Sequence, residues 1–382
     1  MRCASPRPEV VMAKTRVPQY NLPCEPVPGQ ECLTRRGWRE GGAMELGIFD
    51  HLDRREAPLE EFYESRLRLL EKYDAAGFYS YHLAEHHATP LGLAPVPGIF
   101  LAAASQRTRR IRLGPCVYCL PLYDPLRLIE EVCMLDHLSH GRFDFGVGRG
   151  IVPYEMAYFN LHHLETEEIY REALEVILQG LTSDVLEHRG ARYVYRKVPM
   201  VLRPLQQPHP PLWYGLGHAA GAEWAATNKV HVISNAPADG AKSLFERYRE
   251  VWERKHGGGT MPRLGVSRHV VVADTEAQAE ALARSNYAVW FANLTKLWRD
   301  FGSTPIRFAR DFDEARQRGI AFAGTPARVR EELEKQIAES ACTYFVCRLM
   351  FGNMSEAEAS GSIDLFTSEV MPHLAKLSPP RA

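Results

Sequence analysis

From residue 44 onward, short runs rich in β-branched and aromatic residues alternate with longer stretches of helical period, separated by glycine- and proline-bearing turns. Residues 44–50 predict a first strand. Residues 59–76 predict an amphipathic helix with Phe62, Tyr63, Leu67 and Leu70 on one face and Gly77 as its C-terminal cap. A second strand follows at 79–84, a helix of small residues at 96–105 and a third strand at 111–120. The helix 126–138 is closed by Gly141, and 142–148 is the fourth strand. After a helix at 166–181, residues 185–195 read as a hairpin insertion turning at Gly190.

Proline-rich 204–211 leads into a fifth strand, 212–215, then a helix at 218–228 and a sixth strand at 230–234. A helix at 242–255 precedes the seventh strand, 264–273, and its helix, 276–291. Thr325 and Pro326 form a favoured helix start, 343–351 is the eighth strand, and 363–377 contains a closing helix. Eight strands alternating with helices predict an α/β fold of the (β/α)8 barrel type. Residues 293–323, between strands seven and eight, are too long for a plain connection and form a candidate lid.

The chain has 382 residues, enough for one barrel with insertions or for two ordinary domains. It is 45% hydrophobic and 24% charged with a net charge of −1, without a basic run, which argues against nucleic acid and anionic membrane as partners. No apolar run approaches the roughly 18 residues of a membrane span, and no secretory signal pattern opens the chain, so the cytoplasm is the expected compartment. Eight cysteines are present. Cys116 and Cys119 have redox-motif spacing, but on a strand they face opposite ways roughly 10 Å apart, so reduced thiols are expected. Residues 1–43 hold six prolines and scattered arginines with no sustained apolar period, and they read as disordered. Met44 is a candidate genuine start, with Glu40-Gly41-Gly42 upstream as the translated trace of a ribosome-binding site.

Candidate chemistry gathers at strand ends. Glu85-His86-His87 follows the second strand, where a barrel carries catalytic side chains. Alternation sets Tyr79, Tyr81 and Leu83 on one face and Ser80, His82, Ala84 and His86 on the other, so the second set reads as the floor of a site. Taken alone, the triplet favours the plainer role, in which His86 and His87 cap the strand or pair with Glu85. Gly146-Val147-Gly148-Arg149-Gly150 follows the fourth strand. It lacks the third glycine of a dinucleotide fingerprint; Arg149 either grips a phosphate or sits on an exposed turn. Gly215 to Gly221 enters a helix, where free N–H groups suit a phosphate and His218 either adds to that or caps the helix.

Together these segments carry a resemblance. Ala76-Gly77-Phe78, Leu83 to His87 with Gly92-Leu93, Leu120-Pro121 and Asp124-Pro125 occur in order. Leu135-Asp136, Ser139 to Phe143, Phe145 to Gly150, Glu223 to Ala226, Gly324 to Pro326 and Val370 to Leu374 continue the series. From Met44 to about Leu377 the chain resembles the bacterial luciferase-like flavin-dependent monooxygenases, including the luciferase α subunit. The resemblance implies a barrel, usually dimeric, that takes reduced FMN from a separate NAD(P)H:flavin reductase. With O2 the flavin then forms a C4a-(hydro)peroxyflavin that oxygenates a small organic substrate.

Carried over by position, His86 is the catalytic histidine and Glu85 its neighbouring acid. Arg149 contacts the FMN phosphate, and Gly217, His218 and Gly221 fall where the α subunit uses Glu, Ser and Thr around it. Cys116-Val117 falls at a non-proline cis peptide beneath the flavin ring, and Gly148 replaces a reactive cysteine. A shorter lid than luciferase's makes light emission unexpected. A non-catalytic flavin-binding subunit and a metal-dependent barrel hydrolase are the alternatives. The metal reading lacks a His-x-His pair on the first strand, which ends Asp50-His51-Leu52-Asp53. The substrate itself is not legible.

Overall fold

The computed structural model describes residues 43–54, 56–303 and 308–377, so the expectations for 1–42 lie outside the described residues. The strands are β1 Glu45–Asp50, β2 Ser80–Leu83, β3 Arg112–Pro115, β4 Tyr118–Cys119, β5 Phe145–Gly148, β6 Val185–Arg189, β7 Val194–Pro199 and β8 Leu212–Gly215. They continue with β9 His231–Ser234, β10 Leu264–Val272, β11 Ala321–Gly324 and β12 Tyr344–Arg348. The helices are α1 Leu59–Ala76, α2 Pro97–Arg107, α3 Pro125–Leu138, α4 Pro153–Tyr158, α5 Thr166–Thr182, α6 Ala219–Thr227 and α7 Ala238–His256. After them come α8 Glu276–Leu294, α9 Lys296–Asp300, α10 Phe312–Gln317, α11 Pro326–Ser340, α12 Glu356–Leu365 and α13 Met371–Leu374.

Parallel pairing runs in the order β3-β2-β1-β12-β10-β9-β8-β5-β4. Its two ends, β3 and β4, belong to one continuous segment, and a Leu113–Phe143 bridge ties that segment to the start of β5, so the path is a ring. Eight stations result, in the sequence positions the hydrophobic pattern predicts. The expected third strand is broken: Cys116 N still bonds Leu83 O of β2 at 2.7 Å, whereas Tyr118 and Cys119 pair with Val147 and Gly148 of β5. The peptide between Cys116 and Val117, at the change of partner, is cis.

Alternation sends Leu46, Ile48, Tyr81, Leu83, Phe345 and Cys347 outward into the apolar layer beneath the helices. Each fully buried aliphatic or aromatic side chain there contributes roughly 1.5–3 kcal/mol. Inside, the ring is filled by aromatic and polar groups. Trp213 and Tyr344 are fully buried, and Tyr344 Oη meets His82 Nε2 at 3.0 Å. A Cβ on Gly47 would lie 1.7 Å from Tyr344 Oη, so only glycine leaves room for that ring. Ser80 Oγ and Arg112 Nε donate to Asp144 at 2.9 and 2.8 Å.

These contacts correct the sequence reading of the second strand. Ser80 and His82 are sealed in the barrel interior as packing groups, and only His86 on that face reaches the mouth. Tyr79 leaves the face of Tyr81 and Leu83; it lies edge-on to Tyr344, with the Arg263 guanidinium 3.8 Å over its ring. Strand pattern fixes a face only while the strand lasts, and β2 begins one residue later, at Ser80. The hairpin is β6 and β7 in antiparallel register, and it runs to Pro199, beyond the expected end. Residues 293–323 hold α9, α10 and the start of β11, which pairs with the outer half of β10.

Candidate active site

Parallel strands all point their C-terminal ends to one mouth, and register decides which side chains share a level there. His269 of β10 and Arg348 of β12 are register partners, and the Arg348 guanidinium lies 4.8 Å over the ring of Phe49 from β1. His51 and His86, just past β1 and β2, stand one level higher with their rings stacked at 5.8 Å. Trp290 of α8 closes this side, 4.4 Å from His269 and 6.0 Å from His51 between ring centroids. The opposite arc is bare. A Cβ on Gly215 or Gly217 would meet nothing within 4 Å, while one on Gly148 would lie 2.4 Å from Val117 Cγ2.

His86 is 8% exposed, and its Nδ1 lies 3.0 Å from Glu155 Oε1 of α4. An ionised carboxylate only accepts, so Nδ1 carries the proton and Nε2 is left for the mouth. Burial opposes the imidazolium, but the charge and hydrogen bond of Glu155 outweigh it and hold His86 above its ordinary pKa. Burial, reinforced by Arg348, takes His51 and His269 the other way, well below the usual histidine value.

Glu85 and His86, neighbours in sequence, are not brought together. Glu85 Oε1 faces His87 Nε2 at 2.9 Å, and its Oε2 accepts from Tyr123 Oη at 2.8 Å and Cys119 N at 3.2 Å. Burial raises its pKa against those three hydrogen bonds. The carboxylate thus ties the β2 end to the segment just after the Cys116–Val117 peptide, which is a positioning arrangement.

Arg149 is half exposed, and among the described residues its ion pair is with Glu167, Nε-to-carboxylate at 3.9 Å, so its donors are largely free. His218 proves to be the cap of α6: its Nδ1 accepts from Gly221 N at 3.0 Å. That occupies the Gly221 N–H and leaves those of Ala219 and Ala220, which helix geometry does not satisfy. An exposed arginine, a helix start and side-chain-free glycines along one arc fit a phosphate and a flat ring system. The residues present therefore fit a flavin-type cofactor.

Glu155, His51, His269, Arg348 and Trp290 were not found as site residues by sequence reasoning. Glu155 sits on a six-residue helix too short to show a period, and the others join through register across strands far apart in the chain. Among the described residues, no group of three or more His, Cys, Asp or Glu side chains is arranged to hold a metal ion. None of the described helices is long and apolar enough to cross a membrane.

Comparison with known proteins agrees with this architecture. Residues 44–343 match the luciferase-like monooxygenase family, and the chain belongs to it. An uncharacterized protein of Sinorhizobium fredii, y4wF, is 38% identical over 81% of this chain and 92% of its own length. The oxygenase component of the flavin-dependent trigonelline monooxygenase of Acinetobacter baylyi is 28% identical over 65% of this chain and 72% of its own. Among solved structures, the monooxygenase RslO1 of Streptomyces bottropensis superposes with a TM-score of 0.79 at 25% identity, covering 87% of this chain and all of that one.

Proposed function

We propose that this chain is the oxygenase of a two-component flavin-dependent monooxygenase, fed with reduced FMN by a separate NAD(P)H:flavin reductase. The observation that carries the reading is His86 just past β2 at the barrel mouth, pinned through Nδ1 by Glu155, with the glycines of β5 and β8 lining another arc of the same mouth. Family membership and a relative that is itself an oxygenase component support it.

Arg149 and the free N–H groups at the start of α6 hold the phosphate, by charge-assisted hydrogen bonds and by the helix dipole. Cys116, Val117 and Gly148 would form the surface that receives the ring system. Gly217 keeps the approach open, and Gly221 serves through the His218 cap. Bound reduced flavin supplies the electrons that let O2 give one atom to the organic substrate and the other to water. His86, whose charged form Glu155 favours, donates a proton from Nε2 and recovers it in turnover. Glu85 fixes the floor and takes no proton from His86.

Residues 293–303 act as a lid on α4. Phe301 stacks on Tyr154 at 4.4 Å and 4°, and Tyr154 Oη meets Ser303 Oγ at 2.6 Å. Closing this seam keeps water from the reacting atoms.

Anaerobic titration with photoreduced FMN, followed by admission of O2, tests the proposal. Tighter binding of reduced than of oxidised FMN, and reoxidation slower than that of free flavin, are expected. Reoxidation at the free-flavin rate with the protein in excess overturns it.

A further inference from the structure

Among the described buried arginines, Arg348 is the one held by a single neutral acceptor. Arg66 pairs with Asp50 at 3.1 Å, Arg263 with Glu45 at 2.6 Å and Arg112 with Asp144 at 2.8 Å. Arg142 donates to Thr108 Oγ1 and to backbone carbonyls of Ser105, Thr108 and Ile111. Arg268 reaches Gln336 Oε1 and two carbonyls. Arg348, 7% exposed, makes one hydrogen bond among the described residues, from Nη2 to Asn235 Oδ1 at 2.8 Å, and its Nε is buried without a partner. No described carboxylate lies within ion-pair distance of it.

A buried guanidinium without a counter-ion is costly; Arg142 and Arg268 offset this with four and three neutral acceptors, whereas Arg348 has one. The nearest acid in its field is Asp53, whose Oδ2 accepts from Gly352 N at 2.7 Å. Burial pushes the Asp53 carboxyl up to about 7, so it supplies at best part of a negative charge. Burial keeps His51 and His269 neutral, and the Glu155 charge is spent on His86. This side of the mouth therefore lacks one anion.

The surroundings describe that anion. His269, the register partner of Arg348, has Nε2 buried and unpartnered, so two unused polar groups stand at one level. Phe49, Trp290 and Phe351 wall the same place, with Phe351 and His269 rings 4.7 Å apart. In the ring order, β12 stands directly across from β5, which carries Gly148 and leads to Arg149. The FMN phosphate and the group that Arg348 awaits are thus on opposite sides of the mouth.

We propose that Arg348, aided by Asn235 and His269, binds an oxyanion on the organic substrate, a carboxylate by preference, with an apolar or aromatic body against Phe49, Trp290 and Phe351. This rests on the monooxygenase reading of the same mouth. Asn235 holds one arm of the guanidinium, so the fork is oriented before the ligand arrives, and a planar carboxylate matches it. The substrate is thereby fixed at one end, leaving its carbon skeleton between Arg348 and the flavin arc.

The full chain, with and without FMN, is tested by calorimetry and thermal shift with benzoate, benzenesulfonate, phenyl phosphate and the uncharged benzamide. At least one of the three acids is expected to bind and raise Tm where benzamide does not; whichever is tightest names the head group. Arg348→Met should weaken that acid roughly ten- to hundredfold, the scale of a charge-assisted hydrogen-bonded pair, with benzamide, FMN and riboflavin unaffected. Its ligand-free Tm should hold or rise, because an uncompensated buried charge is removed; a structural arginine would give a fall. Should Arg348→Met not fold, Arg348→Lys and Asn235→Ala carry the test, each expected to weaken the acid while keeping riboflavin affinity. Equal binding of acids and benzamide, unchanged acid affinity in these variants, or parallel loss of FMN and riboflavin overturns the proposal. Arg348-dependent acid binding by a protein that fails to bind reduced FMN overturns the monooxygenase reading alone.

Discussion

Glu155 does for His86 what no neighbour in sequence does: it accepts a hydrogen bond from Nδ1 and so fixes the tautomer. His86→Ala should retain the fold and reduced-FMN binding while turnover falls by roughly 10²-fold, the usual scale for a lost acid–base group. His87→Ala should cost less, because its ring is engaged with Glu85. For Glu155→Gln the sign follows from linkage. The folded-state pKa of His86 is raised, so the pair stabilises fully below the unfolded value of about 6.5 and loses that contribution as pH rises through the folded pKa. The variant should therefore lose roughly 1–3 kcal/mol near pH 6 and much less near pH 9, and the pH–rate limb assigned to His86 should move to lower pH. Equal Tm losses at both pH values would break the pairing argument. Arg149→Ala should weaken FMN by roughly 1.5–3 kcal/mol and leave riboflavin, which lacks the phosphate, almost untouched; equal losses would make Arg149 structural. At this scale strand alternation made His86 legible. Alternation also misassigned Tyr79, and it has no means of naming Glu155, which comes from 69 residues further on.

Elements built from long periodic segments were legible because their burial is one-sided: α1 matches its expected bounds, and all eight barrel stations fall where apolar runs predict them. Elements governed by a local event were not. The third strand reads as one apolar run, yet it changes partner at Cys116 and Val117, where the ring has to close on β5. The short α4 has no period to read, but it carries both the partner of His86 and the seat of the candidate lid. Tyr154 of α4 stacks on Phe301, and Val152, Leu297 and Trp298 form a small apolar cluster beside it. Phe301 is half exposed, so Phe301→Ala should cost little stability. It should nevertheless raise the share of consumed O2 that appears as hydrogen peroxide, because a loosened seam admits water to the reacting atoms. An unchanged ratio of peroxide to product would detach residues 293–303 from the chemistry.

For the whole molecule, the ring closes by a contact near each end of the described chain. β1 pairs with both β2 and β12, and Met44 N donates to Leu377 O at 3.2 Å, so the first strand and the last helix are mutually anchored. Met44 itself is 2% exposed, and the apolar pattern that predicts the barrel begins with it. A chain beginning at Met44 retains a nitrogen donor for Leu377. The sequence of residues 1–43, rich in proline and without apolar period, offers no surface to extend the core. Deleting them should shift Tm by no more than about 2 °C, less than about 1 kcal/mol for a chain of this size, with affinity for reduced FMN unchanged. Circular dichroism melts and anaerobic flavin titration of the two lengths side by side make the measurement. A fall of several degrees would place stabilising contacts in the first 43 residues, and weaker flavin binding without such a fall would put them at the mouth instead.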